Sequence, residues 1–298
     1  MPSRRRFLIL AAGLAMAACG PAVRTGSRAS TPAFSSDEIS VVTRGSGPDV
    51  ILIHGLAGNI GVWDPSASAL ADHYRLHLVQ IHGFGGVART STDSMVTSAV
   101  AREVARYIRE TGLTRPALVG HSMGGTVAMM VAARNPGLAG RVMVVDMVPF
   151  LGAMFGQPNA TLETLRPMAD QLRSQMLTGN LLDQMIGTMA RSEANRQKLL
   201  AYADSSDRTT VANAMHELLL TDLRPELPRI TVPLTVLYVQ RANIPMPPAQ
   251  YDSMERQMYS GAPHVTLVRI DDSNHYIQLD QPERFVAEVE AFMRRTGP

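Results

Sequence analysis

The chain has 298 residues, of which 45% are hydrophobic and 18% charged, as is ordinary for a globular protein with a large core. Its formal net charge is +2, and without residues 1–18 the count is 25 basic to 26 acidic side chains. No basic block remains, so the sequence predicts no nucleic-acid partner. No run of 18 or more apolar residues is present, so the sequence predicts no membrane-spanning helix.

The first 18 residues have the pattern of a bacterial export signal. Arginines at 4–6 precede a short apolar stretch at 7–18, which is too short to span a bilayer. The letters SRRRFL resemble a twin-arginine signal, and MAAC at 16–19 resembles a lipoprotein cleavage site. We therefore expect residues 1–18 to be a signal peptide and Cys19 to carry lipid, which would anchor the exported protein to a membrane on the periplasmic side. Ordinary cleavage without lipid is the alternative.

Residues 19–37 are predicted to form a flexible tether, because they are small, polar and interrupted by glycine and proline. Cys19 is the only cysteine, so the mature chain has no internal disulfide. The rest of the chain, residues 38–298, is predicted to form a single domain.

Short apolar runs alternate with helical patterns along this domain. The runs suit strands that are buried on both faces of a parallel sheet, and they lie at 39–43, 49–55, 74–83, 117–120, 141–146, 233–239 and 265–270. Helices are predicted between them, including one that begins near Pro282 and has apolar residues on one face. This alternation predicts an α/β fold with a mostly parallel sheet.

The regular alternation stops at residues 147–228. This segment has several helical patterns and no strand-like run, so we predict a helical lid inserted between two strands. It holds seven of the 18 methionines, which fill irregular apolar surfaces. Packing of the lid helices onto the domain explains most of them, and an apolar wall over a substrate pocket is the alternative.

The sequence GHSMG at 120–124 follows a predicted strand and precedes a predicted helix. This is the context of the nucleophile elbow, a strained turn that lifts a serine out at the carboxyl end of a strand. The N-terminus of the following helix supplies backbone N–H groups for a negatively charged oxygen. Ser122 is therefore the candidate nucleophile.

Two further segments resemble parts of the α/β-hydrolase superfamily. ILIHGLAGNIGVW at 51–63 resembles its oxyanion loop, which implies that the N–H groups of Leu56 and Met123 form the oxyanion hole and that His54 orders the loop. NHYIQLDQPERF at 274–285 resembles the loop that carries the catalytic histidine, which makes His275 the candidate base. Together with the elbow, the resemblance covers nearly all of the domain and implies the α/β-hydrolase fold.

The acid of the triad is less apparent. In most of the superfamily an aspartate follows the strand after the lid, where this chain has Ala242 or Asn243. Asp271 and Asp272 lie close to His275 in sequence, but we expect them to point elsewhere. Asp146 ends the strand after the elbow helix, so it should emerge at the same sheet edge as the nucleophile. We predict Asp146 as the acid, with Asn243 as a neutral alternative.

The resemblance implies an enzyme that cleaves carboxylic esters. No cofactor and no metal are expected. The expected partner is a small-molecule ester with apolar character. Perhydrolysis or acyl transfer by the same triad is a second interpretation. A non-catalytic ligand-binding protein is a third, and an intact serine, histidine and oxyanion loop disfavour it.

Overall fold

The computed structural model describes residues 33–155, 161–240 and 246–295, which form a sheet surrounded by helices. The strands are β1 (Phe34–Ser35), β2 (Ile39–Arg44), β3 (Asp49–Ile53), β4 (Arg75–Ile81), β5 (Ala117–His121), β6 (Arg141–Val145), β7 (Leu234–Tyr238) and β8 (Val265–Arg269). Their spatial order is β1-β2-β4-β3-β5-β6-β7-β8. Strands β1 and β2 pair antiparallel, whereas β3 to β8 run parallel to one another.

The helices are α1 (Asp64–Ala71), α2 (Val96–Glu110), α3 (Met123–Arg134), α4 (Leu162–Thr178), α5 (Leu181–Ile186), α6 (Glu193–Asp204), α7 (Arg208–Leu219), α8 (Pro248–Met258), α9 (Ile277–Asp280) and α10 (Pro282–Arg294). Short 3-10 helices lie at Ile60–Trp63, Leu151–Met154 and Arg224–Arg229. Among the described residues, no helix has both the length and the apolar character needed to cross a membrane.

Strand order explains why both faces of the sheet are covered. The chain moves from β3 to β4 in one direction and from β4 to β5 in the other. Because such crossovers are right-handed, α1 and α2 are placed on opposite faces. The central strands β5 and β7 are buried along their whole length, as their continuous apolar sequences predict. The prediction of an α/β-hydrolase fold with a mostly parallel sheet is confirmed.

The sheet begins within the segment predicted to be a tether. Phe34 pairs with Val41 of β2, and its ring meets the edge of the Tyr107 ring at a centroid distance of 5.1 Å. A strand of two residues carries no alternation that sequence analysis can detect, which explains the difference from the predicted boundary at residue 37. The signal peptide and Cys19 lie outside the described residues.

The segment predicted to be a lid, for which that name is kept, lies between β6 and β7, and its described residues form helices α4 to α7 with 3-10 turns at either end. Helix α7 packs against α4 and against α2 of the main domain. The buried carboxylate of Glu217 on α7 accepts hydrogen bonds from the amides of Thr97 and Ser98, at 2.7 and 2.9 Å. These amides lie in the first turn of α2, where N–H groups have no partner within the helix, so the lid caps a helix of the main domain.

Candidate active site

Ser122 lies at the sharp turn between β5 and α3. Its φ and ψ are 53° and −121°, a strained conformation for a residue with a side chain. The Ser122 amide donates to the carbonyl of Val145 on β6 at 2.9 Å, so the neighbouring strand holds the turn in place. The strain and the position at the carboxyl end of a central strand are those of a nucleophile elbow.

Glycines on either side of the turn permit the close approach. A Cβ atom on Gly120 would collide with the carbonyl oxygen of Gly124. A Cβ atom on Gly124 would collide with the carbonyl oxygen of Ile53, at the end of β3. Helix α3 can therefore start directly against the sheet only because both positions are glycine.

Asp146 follows the last residue of β6 and also has a positive φ, of 50°. Its amide donates to the carbonyl of Leu237 at 2.7 Å. Its side chain is buried, with Oδ1 accepting from the Val239 amide at 3.1 Å and Oδ2 lying 2.5 Å from Nδ1 of His275. The structure therefore brings the Asp146 and His275 side chains together.

His275 lies in the loop between β8 and α9, and its side chain is 14% exposed. The ring of His121, the residue before the elbow serine, lies 4.7 Å from the His275 ring. His121 Nε2 is 3.0 Å from the carbonyl oxygen of His275, and because a carbonyl only accepts, this nitrogen carries the proton. Burial lowers the pKa of His121 well below its usual range, so its ring stays neutral. No catalytic or structural role was predicted for His121 from the sequence.

The loop after β3 reaches the elbow from the other side. A Cβ atom on Gly55 would lie 2.9 Å from the Cβ atom of Ser122, so the backbone of the loop passes close to the serine. The next residue is Leu56, and among the described residues the amides of Leu56 and Met123 donate no hydrogen bond to the protein. Both predicted oxyanion donors are therefore available near Ser122.

His54 orders this loop from inside the protein. Its Nε2 accepts from the Ile81 amide at 3.1 Å, so Nδ1 carries the proton and donates to the carbonyl of Gly55 at 2.8 Å. The ring is fully buried, and burial lowers its pKa to about 4. A neutral ring with both nitrogens occupied fits the predicted role in ordering the loop.

The other candidates lie apart from these contacts. Asp271 pairs with Arg269, and Asp272 pairs with Arg191 of the lid, so both point away from His275 as expected. Asn243 lies outside the described residues. Within the described ranges, no group of three or more His, Cys, Asp or Glu side chains is arranged to hold a metal ion.

Comparison with known proteins places this geometry in a family. Residues 50–288 match the model of the "Alpha/beta hydrolase family". A pimeloyl-[acyl-carrier protein] methyl ester esterase of Nitrosomonas europaea is 27% identical over 262 residues, covering 85% of this chain and 98% of that protein. The enzyme of the same name from Vibrio cholerae is 28% identical over 257 residues, covering 84% of this chain and 96% of that protein.

A solved structure shares the fold. The enol-lactonase from Burkholderia xenovorans LB400 superimposes with a TM-score of 0.71 at 19% identity, covering 86% of this chain and 96% of that chain. The family match covers the Ser122 turn, the loop after β3, helices α4 to α7 and the loop that carries His275. The chain therefore belongs to the alpha/beta hydrolase family.

Proposed function

We propose that this chain is a carboxylic ester hydrolase that forms an acyl-enzyme on Ser122, with His275 as the base and Asp146 as the acid. The observation that carries the proposal is the hydrogen bond between Asp146 Oδ2 and His275 Nδ1 beside the strained turn of Ser122. The names of the two curated relatives, both methyl ester esterases, support ester cleavage as the reaction.

Each group has one task in the proposed mechanism. Ser122 Oγ attacks the ester carbonyl while His275 Nε2 takes the hydroxyl proton, and Asp146 fixes the tautomer with the proton on Nδ1. The amides of Leu56 and Met123 bind the oxygen that becomes negative, each contributing about 3 kcal/mol to transition-state stabilisation. His275 then protonates the departing alcohol. Water, deprotonated by the same imidazole, attacks the acyl-enzyme, the bond between Ser122 Oγ and the acyl carbon breaks, and the imidazolium returns the proton to Ser122 Oγ as the carboxylic acid leaves.

A labelling and hydrolysis experiment tests the proposal. A fluorophosphonate should label Ser122, and p-nitrophenyl esters of increasing acyl length should be hydrolysed, with apolar acyl groups preferred. Ser122→Ala should abolish both reactions, whereas Ser174→Ala, at an exposed position of α4, should leave them unchanged. Failure of the folded wild-type protein to react with the probe would favour a non-catalytic ligand-binding protein. Product that forms only with hydrogen peroxide or an alcohol acceptor would indicate a perhydrolase or an acyltransferase.

We also propose that the protein is exported and anchored to a membrane by lipid on Cys19. The support is the sequence alone, in which arginines, a short apolar stretch and the cysteine follow one another. Cys19→Ala should move the mature protein from the membrane fraction to the periplasmic fraction of a bacterial host. A variant that stays bound to the membrane would contradict the lipid anchor.

A further inference from the structure

The lid touches the loop of the candidate base at one short segment. We define the His275 loop as residues 270–276 and the lid connector as residues 188–191, between α5 and α6. The amide of Tyr276 donates to the carbonyl of Met189 at 3.2 Å. The side-chain amide of Asn274 donates to the carbonyl of Thr188 at 3.1 Å. The two residues that flank His275 are therefore both hydrogen bonded to the lid connector.

One carboxylate joins the same two segments. Oδ2 of Asp280 accepts from the amide of Asn274 at 2.9 Å, and Oδ1 accepts from the amide of Arg191 at 2.9 Å. The first amide belongs to the His275 loop and the second to the lid connector. Asp280 itself ends α9, five positions after the base, and is half-buried. Hydrogen bonds to an ionised acceptor are stronger than those between neutral groups. The Asp272–Arg191 ion pair also joins the two segments, but its side chains are 83% and 52% exposed, so it holds them together less firmly than the Asp280 bridge.

We infer that Asp280 is a positioning residue of the active site, which fixes the orientation of His275 and ties it to the seated position of the lid. The inference rests on the proposed function, in which His275 is the base. If the lid connector moves away, Asp280 loses the Arg191 amide, and the His275 loop loses both of its flanking contacts. His275 would then keep its contacts with Asp146 and His121, and its loop would keep the hydrogen bond from the Asn274 amide to Asp280, but no contact to the lid connector would remain.

Asp280→Asn is the sharpest perturbation, because the amide keeps the volume of the carboxylate but has a single acceptor oxygen. One of the two bonded amides would then face an NH₂ group, which cannot accept a hydrogen bond. Asp271→Asn is the matched control, since Asp271 lies in the same loop, is exposed and pairs with Arg269 of β8 rather than with the lid connector. Asn195→Ala is a second control, because it removes a lid contact to the carbonyl of Leu279 without touching the residues beside His275.

The assay is the rate at which a fluorophosphonate inactivates the enzyme, together with kcat and KM for p-nitrophenyl acetate. Asp280→Asn should lower the inactivation rate and kcat by about 10- to 100-fold, with little change in KM, because the base is misplaced rather than the binding site. Both controls should react at the wild-type rate. The proton resonance of His275 Nδ1 should shift or broaden in Asp280→Asn alone, a change that mere loss of stability would not cause.

The outcomes separate the two proposals. A folded Asp280→Asn variant that reacts at the wild-type rate with an unchanged His275 resonance overturns this inference and leaves the proposed function standing. If that variant fails to fold, Asp280→Ala tests the same link, because it removes both acceptors without placing an NH₂ group against either amide. A wild-type rate in Asp280→Ala then overturns the inference. A wild-type protein that the probe does not label at Ser122 refutes the proposed function and this inference with it.

Discussion

Asp146→Asn offers a direct test of the acid, because the structure predicts how the new amide would be oriented. In the wild-type protein Oδ1 accepts from the Val239 amide at 3.1 Å, and Oδ2 contacts His275 Nδ1. The backbone amide of Val239 can only donate, so the asparagine oxygen should occupy the Oδ1 position. The NH₂ group then faces His275 and donates to Nδ1. The imidazole proton is forced onto Nε2, where the ring can no longer accept the proton of Ser122.

The expected cost is large, because the wrong tautomer removes the base without removing the ring. Reversal of the tautomer in a serine triad lowers turnover by about 10⁴-fold, which corresponds to about 5 kcal/mol of transition-state stabilisation. Water cannot readily replace the lost acceptor, since the Asp146 side chain is only 5% exposed. The assay is kcat/KM for p-nitrophenyl acetate, with circular dichroism to verify the fold.

Asn243→Ala is the companion variant, because Asn243 stands where most of the superfamily has its acid. It should cost far less than Asp146→Asn. A folded Asp146→Asn variant with wild-type kcat/KM would refute the assignment. A large loss in Asn243→Ala together with a small loss in Asp146→Asn would move the third role to the strand after the lid.

Three further predictions follow from buried groups. Burial lowers the pKa of His54 from 6.5 to about 4, so between these pH values the unfolded chain binds a proton at His54 and the folded chain does not. The contribution of neutral His54 to the free energy of unfolding is therefore complete above pH 6.5 and falls as the pH drops towards 4. His54 should contribute a loss of up to about 1.4 kcal/mol per pH unit in urea unfolding, in addition to that from buried His121, so His54→Asn should reduce the slope without removing it. Equal slopes in the two proteins would contradict this. Glu217→Gln should cost about 1–3 kcal/mol of unfolding free energy, because the charged side chain that caps α2 is lost. Glu163→Gln, at an exposed position, should cost almost nothing. Equal effects of the two substitutions would refute the capping role. Gly124→Ala should cost at least about 1–3 kcal/mol, because its Cβ atom collides with the carbonyl oxygen of Ile53, and unchanged thermal unfolding would contradict this.

The fold and the positions of Ser122 and Asp146 could be predicted because they depend on local sequence patterns. Continuous apolar runs indicate buried parallel strands, and a residue that directly follows such a run must emerge at the carboxyl edge of the sheet. In the structure β5 and β6 pair so that His121 lies opposite Val145, which places the two following residues side by side. The acid candidate could therefore be located although it is not where most of the superfamily carries it.

Contacts between distant parts of the chain could not be predicted in this way. Asp280 and Arg191 are 89 positions apart, and nothing in the residues around either one indicates the other. The same holds for the contact between His121 and the His275 backbone, which spans 154 positions. Such pairs arise from the packing of whole elements, whereas periodicity reports only which face of an element is buried.

The three candidate triad residues differ in how firmly the fold holds them. Ser122 and Asp146 each follow a central strand, and the amide of each donates to the neighbouring strand. His275 comes from a loop beyond an edge strand, and it is held by side chains and by the lid connector instead. Segments held by few buried contacts open before the strands of a core do. Displacement of the lid should therefore disturb His275 first, while Ser122, Asp146 and the oxyanion loop keep their positions. The enzyme would then lose its base, but not its nucleophile or oxyanion hole, when the lid is not seated.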